Sequence, residues 1–352
     1  MVKKRRKKSG KSTVIKILYI VAAIICILLV SAGIIYKRYM IDSFTKDTFW
    51  IYVDKNSKLE DILSDLGSKI NKSDIIKFAR IARINHYKPS DEPGAYRIEP
   101  GMGVFKTYRK LSNGNQTPIR FTFNNIRTTE NLSERIGKTF MMQPEEIKNL
   151  LDNPEICKSY GFSTQTIPAM FIPDTYEVYW TIKPEKLLDR MYDEYMKFWN
   201  EDRKLKAAKI HLTPIEVSTL ASIVEEETKN TAEMPIVAGV YINRLKAGML
   251  LQADPTVKFA LQDFSLRRIL HQHLDTDSPY NTYKHSGLPP GPIRIPSKAA
   301  INSVLNYQPH NYVYMCAKDD LSGRHNFAET YAEHQQNAIR YQKALNERRI
   351  MK

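Results

Sequence analysis

Cysteine is scarce, with three in 352 residues, at positions 26, 157 and 316. Cys26 falls inside an apolar run, and the one pair that remains is not the disulfide framework of a small secreted scaffold. Nothing in the spacing says that Cys157 and Cys316 meet. No Cys/His grouping has zinc-site spacing. His271 and His273, close to Asp275 and Asp277, would hold a metal only from a strand and read instead as a polar loop. No cofactor is expected. Internal repeats are absent, as are low-complexity tracts after the basic N-terminus. Disorder is excluded by 42% hydrophobic residues with 10% aromatics. The length exceeds one typical domain, so two lobes are expected.

The net charge of +15 resembles a nucleic-acid signal until it is mapped. Lys3, Lys4, Arg5, Arg6, Lys7, Lys8, Lys11 and Lys16 supply eight of those charges; 15 less 8 leaves 7 for the rest of the chain. A basic run in this place suits anionic lipid, which makes nucleic acid the weakest reading. Behind it, ILYIVAAIICILLVSAGIIY (17–36) carries no charge. At about 1.5 Å per residue it is long enough to cross a hydrocarbon core of roughly 30 Å. The positive-inside rule keeps 1–16 as a cytoplasmic basic tail and sends everything after Lys37 outside. A cleaved signal peptide is the competing reading, with Ser31, Ala32 and Gly33 as a site, but the run exceeds an ordinary h-region.

From residue 49 to 111 the pattern predicts a small α/β module: strands at 50–53 and 95–98, helices at 59–66, 74–81 and 104–111. Gly94, Pro100 and Gly101 punctuate its second strand. The β-α-α-β order suits a glycan-binding unit and equally a spacer. A strand at 119–123 and a helix at 129–140 are expected to link the lobes. A loop-rich stretch then ends in FIPDTYEVYW (171–180), whose aromatics read as packing around a turn at Pro173 and Asp174. An amphipathic helix at 186–198 leads into a Lys/Arg-rich connection at 203–209.

The chain is organised around TPIEVSTLASIVEEET (213–228). Thr213, Pro214 and Glu216 make a capping box with proline at the first helical position. On the amphipathic helix that follows, Val217, Leu220, Ile223 and Val224 fall on one apolar stripe, and the same pattern lands on Glu227. Glu225 and Glu226 project to the flanks, toward solvent. A carboxyl in an apolar setting has its pKa raised, so Glu227 can hold a proton near neutrality and give it to a leaving oxygen. The bland alternative is a helix-end Glu that reaches water or a lysine.

A helix at 232–247 stops at Gly248. In LQADPTVKFAL (251–261), Asp254 is either a helix N-cap ahead of Pro255 or a second carboxylate at a cleft, and Gln252 stands beside it. YNTYKHSGLPPGPI (280–293) reads as a rigid loop presenting Tyr280, Asn281, Thr282 and Tyr283 to an extended ligand. A helix at 297–305, a strand at 312–316, a turn through Ser322 and Gly323 and a helix at 331–345 close the chain. His325 and His334 read as structural.

Taken together, ASIVEEET (221–228), INRL (242–245), LQADPTV (251–257), YNTY with GLPPGPI (287–293) and PDTYE (173–177) resemble the YceG-like family of membrane-anchored endolytic murein transglycosylases. Each motif alone is weak; five in the same order are specific, and the likeness covers almost the whole chain. The resemblance implies an α+β protein with a single N-terminal transmembrane helix, a LysM-like α/β subdomain at 48–117, a connecting region at 118–212 and a mixed α+β catalytic lobe at 213–352. It also implies that Glu227 is catalytic, because the second Glu of the family's E-x-E pair falls there. Gln252, Asp254, Tyr280, Asn281, Thr282 and Tyr283 become candidate substrate contacts. Two departures stand out. Arg324 separates Gly323 from His325 in the tail motif, and Glu226 replaces the usual lysine, adding negative charge expected to push Glu227's pKa further up.

The reaction that the resemblance implies is cleavage of the β-1,4 bond between N-acetylmuramic acid and N-acetylglucosamine, with a 1,6-anhydro end as product. One carboxyl suffices, whereas hydrolytic glycosidases generally use two. The implied partners are nascent peptidoglycan strands, the bilayer and, by family analogy, penicillin-binding proteins or other murein synthases. Two rivals remain: a hydrolytic muramidase using Glu227 and Asp254, and a non-catalytic membrane-anchored glycan-binding scaffold.

Overall fold

The computed structural model describes residues 10–266 and 268–347; most of the basic tail, from Lys3 to Lys8, lies outside them. The fold is α+β, with 53% helix and three small sheets. The chain divides into two compact units: 1–119 with 178–181, and 120–177 with 182–352.

The first unit opens with α1 (Gly10–Tyr36), which runs into a π-helical turn, Lys37–Ile41. Within Thr13–Ile41, an 18-residue window reaches a mean hydropathy of 2.9. A helix of this length and composition serves either as a membrane anchor or as a signal sequence. After it come β1 (Phe49–Val53), α2 (Leu59–Gly67), α3 (Lys72–Ile84), β2 (Gly94–Ile98) and α4 (Val104–Ser112). β1 and β2 pair antiparallel, Ile51 opposite Tyr96. Alternation sends Ile51, Val53, Tyr96 and Ile98 into a core shared with Leu66, Phe78 and Leu111. Asn71 caps α3 by accepting from the Asp74 N–H. Phe44, from the segment after the π turn, is buried against Phe78, their rings 5.9 Å apart.

In the second unit, β3 (Ile119–Thr122) pairs with β4 (Thr175–Val178). Between them lie α5 (Thr129–Gly137), α6 (Pro144–Leu151) and α7 (Pro154–Ser159). The stretch expected to be loop-rich thus holds two short helices. Each begins on a proline, and Asn153 caps α7 by accepting from the N–H groups of Glu155 and Ile156. Next come α8 (Pro184–Phe198) and α9 (Glu201–Lys209), then α10 (Pro214–Glu227), α11 (Met234–Lys246), α12 (Asp254–Leu261) and the short α13 (His271–Leu274). The expected Lys/Arg-rich connection is therefore helical: Asn200 caps α9, which buries little beyond Ala207 and so shows no apolar stripe. His271 and His273, read as a polar loop, sit on the single turn of α13, and no metal-binding cluster is found among the described residues. The chain ends with α14 (Lys298–Leu305), β5 (Tyr314–Ala317), β6 (His325–Ala328) and α15 (Tyr331–Glu347). β5 and β6 form an antiparallel hairpin, so the last sheet has a strand where only a turn was expected.

α10 is the hub of this unit, packing against α11, α12 and α14. The capping box forms as expected: Thr213 Oγ1 accepts from Glu216 N–H at 3.3 Å, and Glu216 accepts from Thr213 N–H at 2.7 Å. The helix is not amphipathic, however. Every residue from Val217 through Val224 is buried, the signature of a helix enclosed on all sides. Its hydroxyls are kept off the apolar surroundings by backbone carbonyls of its own turns, Ser218 to Pro214, Thr219 to Ile215 and Ser222 to Thr219.

Candidate active site

Past Val224 burial relaxes again, in the last turn of α10, where three carboxylates emerge in different directions. Glu225 accepts from the Ser297 N–H at 2.8 Å. Glu226 is clasped by two guanidinium groups, Arg294 at 2.6 Å and Arg127 at 3.0 Å. Both are largely withdrawn from the solvent that the sequence suggested; their side chains keep 15% and 19% of their exposure. Glu226 is charge-paired to two arginines and is not among the leading causes of the Glu227 shift, where the sequence suggested that it would add to it.

Glu227 faces the other way, into a cavity of about 230 Å³. The wall also includes Tyr241, Arg244, Gln252, Asp254, Tyr283, Cys316 and His325. Four structural features build it. The Tyr241 hydroxyl, from the middle of α11, donates to Glu227 Oε1 at 2.7 Å. Arg244, one turn on, is buried and donates to the carbonyls of Val313 at 2.6 Å and Leu251 at 2.7 Å, fastening β5 and the 249–253 segment to α11. Gln252 adopts a left-handed conformation, φ 50°, uncommon for a residue with a Cβ. The loop 280–293 supplies Tyr283, whose hydroxyl donates to Asp254 Oδ1 at 2.5 Å.

Asp254 is the first residue of α12, and Ala253 holds the N-cap position. The aspartate is therefore not the cap, and its carboxylate is free to face the cavity. Of the four loop residues expected to meet a ligand, Tyr283 alone lines this cavity. Asn281 and Thr282 are buried and tie the loop to segments that precede it. Asn281 donates to the carbonyls of Leu274 and Thr276, and Thr282 Oγ1 accepts from the Ala253 N–H at 3.0 Å. Tyr280 packs on Phe259, ring centroids 4.7 Å apart. Sequence reasoning missed Tyr241, Arg244 and His325. The INRL motif carried Arg244 without showing what it holds. His325 was set aside as structural, yet its Nδ1 lies 3.0 Å from the buried Glu233 carboxylate while the ring borders the cavity.

The electrostatics follow from this enclosure. Burial pushes the Glu227 pKa up from 4.5 to about 6, opposed by the Tyr241 hydrogen bond, assisted by the Asp254 charge, and opposed more weakly by His325 and Lys258. Tyr241 and Tyr283 are both held well above the ordinary tyrosine value, by burial first and then by the carboxylates they bind. Both therefore stay protonated and act as donors. The site thus offers one carboxyl that exchanges its proton near neutrality, beside a second carboxylate fixed by a tyrosine.

A YceG-like family model matches residues 51–340. The chain belongs to the YceG-like family. Among its relatives, this YceG-like chain is similar to the endolytic murein transglycosylase of Bacillus subtilis (strain 168), 26% identical, over 91% of this chain and 93% of that protein. It is also similar to the endolytic murein transglycosylase of Streptococcus pneumoniae R6, 25% identical over 92% of this chain, and spans 65% of that longer protein. A yceG-like protein of Listeria monocytogenes has the same fold at a TM-score of 0.56 and 24% identity, covering 83% of this chain and 99% of that structure.

Proposed function

We propose that the chain is an endolytic murein transglycosylase, held at the cell membrane by α1 with the N-terminus cytoplasmic, and that Glu227 is its catalytic acid and base. The observation that carries this reading is one protonatable carboxyl, on the last turn of a buried helix, with its pKa raised to about 6 in a walled cavity. The names of the relatives support the activity.

Glu227 protonates the oxygen of the bond between N-acetylmuramic acid and N-acetylglucosamine, and the C1–O bond breaks. The resulting carboxylate takes the proton of the muramic acid's own C6 hydroxyl as O6 bonds to C1 and closes the 1,6-anhydro ring. The proton ledger balances without water, and the nucleophile gains the high effective concentration of an intramolecular group. The cavity is smaller than the roughly 300–1,000 Å³ of ligand clefts, so it holds the reacting centre while the strand lies outside. Gln252, Asp254 and Tyr283 are its nearest polar groups for sugar hydroxyls. The β1-α2-α3-β2 arrangement supports a LysM-like role for 48–117 in holding glycan.

Mass analysis of products from purified sacculi tests the chemistry. Anhydro ends from the native protein, lost in Glu227→Gln, are expected. Products one water heavier would instead establish a muramidase using Asp254, and full genetic complementation by Glu227→Gln would establish a scaffold.

A further inference from the structure

Where α1 ends, the first unit forms a second cavity. It measures about 760 Å³ and lies between the last turns of the apolar helix, with the π turn, and the outer face of α3. One wall is apolar, made by Ile34, Ile35 and Ile76; the rim is cationic, with Arg38, Lys77 and Arg80, and Tyr39 and Ser73 add hydroxyls.

The sequence of α3 explains the outer face. Phe78, Ala79 and Ala82 turn inward, leaving Ser73, Ile76, Lys77, Arg80, Arg83 and Ile84 on one solvent stripe at helical spacing. Ile76 and Ile84 are 60% and 70% exposed, although a soluble module would place polar residues there. Lys77 pairs with Asp74 at 2.6 Å. Arg38 and Arg80 have no carboxylate partner among the described residues. Arginines beside exposed isoleucines can lay their stems along apolar surface and keep their charged heads in water, as basic side chains do at a membrane interface.

Geometry ties that face to the end of the span. The Phe44 N–H donates to the Met102 carbonyl at 2.6 Å, and Ser43 Oγ accepts from the Gly101 N–H at 2.9 Å. Gly103 lets the π turn approach closely, since a Cβ there would come within 2.6 Å of the Met40 carbonyl oxygen. The module is thereby fastened to the helix that precedes it, and α3 is held at the level where the apolar run stops.

We propose that this groove binds an anionic glycerophospholipid of the leaflet at which α1 ends. The phosphate sits between Arg38 and Arg80, and an acyl chain lies along Ile34, Ile35 and Ile76. The site rests on α1 being a retained membrane span. Charge complementarity selects the headgroup, and the wall contributed by the span itself selects a bilayer amphiphile over a soluble anion.

The full chain reconstituted into nanodiscs of mixed phosphatidylglycerol and phosphatidylcholine tests this, with lipids retained on release counted by native mass spectrometry. Each cation near an anionic surface favours it about fivefold, so two should raise the ratio of phosphatidylglycerol to phosphatidylcholine among the retained lipids roughly 25-fold over the ratio set by its share of the disc. Arg38→Glu with Arg80→Glu should return retention to that share. Ile76→Asp, which leaves both arginines, should cut it as well and serves if the double variant does not fold. Retention that follows the disc composition, or that survives all three changes, overturns the proposal. Displacement of the lipid by millimolar inorganic phosphate alone also overturns it, in favour of a free-anion site. Failure of the chain to enter discs at all refutes the membrane span instead, a separate result.

Discussion

Tyr241 and Glu227, fourteen residues apart on two packed helices, meet through a 2.7 Å hydrogen bond that holds the carboxyl's pKa down against the burial that drives it up. Tyr241→Phe keeps the ring and deletes the donor. With the lowering contribution gone, the Glu227 pKa should climb about one further unit above 6, as expected for one hydrogen bond to a charged group. The alkaline limb of the kcat/KM profile should therefore move to higher pH. A uniformly slower enzyme with an unmoved limb would show that the tyrosine only supports packing.

The same shift makes Glu227 a stability liability. Its pKa is higher folded than unfolded, so the native state binds its proton more tightly. Stability from this group is full below about pH 4.5 and is lost as pH rises through about 6. At pH 7.5 the ionised native form forfeits about 2 kcal/mol, which Glu227→Gln should restore as a higher Tm. Below pH 4.5 the gain should vanish. Thermal melts of both proteins across pH 4 to 8 read this directly, and a Gln variant less stable at pH 7.5 would contradict it.

Much of this is legible in the sequence. The capping box fixed the start of α10, and periodicity carried from Leu220 reached Glu227. What the sequence hid was long-range. A helix buried on every side gives no amphipathic contrast to read, because hydroxyls such as Ser218 and Ser222 are satisfied within the helix and tolerate enclosure. Glu225 and Glu226 read as solvated because their partners, Ser297, Arg294 and Arg127, lie about 70 to 100 residues away in sequence. Asn281 and Thr282 looked like ligand contacts from composition alone, since their bonds to Leu274, Thr276 and Ala253, all outside the loop, leave no local trace.

Glu226 offers a contrast with its neighbour. It faces Arg294, whose side chain is only 9% exposed, and it lies outside the cavity. Glu226→Gln should leave the alkaline limb of activity where it is, while the weakened clasp, in which Arg294 keeps Glu225 at 3.7 Å and Asn125 at 2.8 Å, lowers stability by about 1 kcal/mol. A limb displaced to lower pH, measured alongside urea denaturation, would mean that the two carboxylates are coupled after all.

Arg244 is expected to act through architecture. Its guanidinium donates to the Val313, Leu251 and Leu250 carbonyls, and replacement by methionine leaves them without that donor. The loss should be about 3 kcal/mol, seen in chemical denaturation. Hydrogen exchange should accelerate in β5 and in 249–253 before the rest of the unit, because those segments are what the side chain fastens. Uniform acceleration across the unit would place its contribution elsewhere.

Gly291 tests how the Pro-rich loop is held against α10. A Cβ there would lie 2.1 Å from the Gln165 carbonyl oxygen, a backbone atom that cannot rotate aside. Two residues on, the Ile293 N–H donates to Ser222 Oγ on the central helix at 3.0 Å. Gly291→Ala must shift the loop and should destabilise by about 1–3 kcal/mol. If that shift breaks the Ile293 bond, Ser222→Ala should add less in the Gly291→Ala background than alone, a non-additivity expected of coupled neighbours. Gly287 is the control: it has φ +81° but nothing within 4 Å of a Cβ, so its alanine variant bears backbone strain alone, about 1 kcal/mol. Equal losses at the two glycines, with strict additivity at Ser222, would show that contact with Gln165 does not seat the loop.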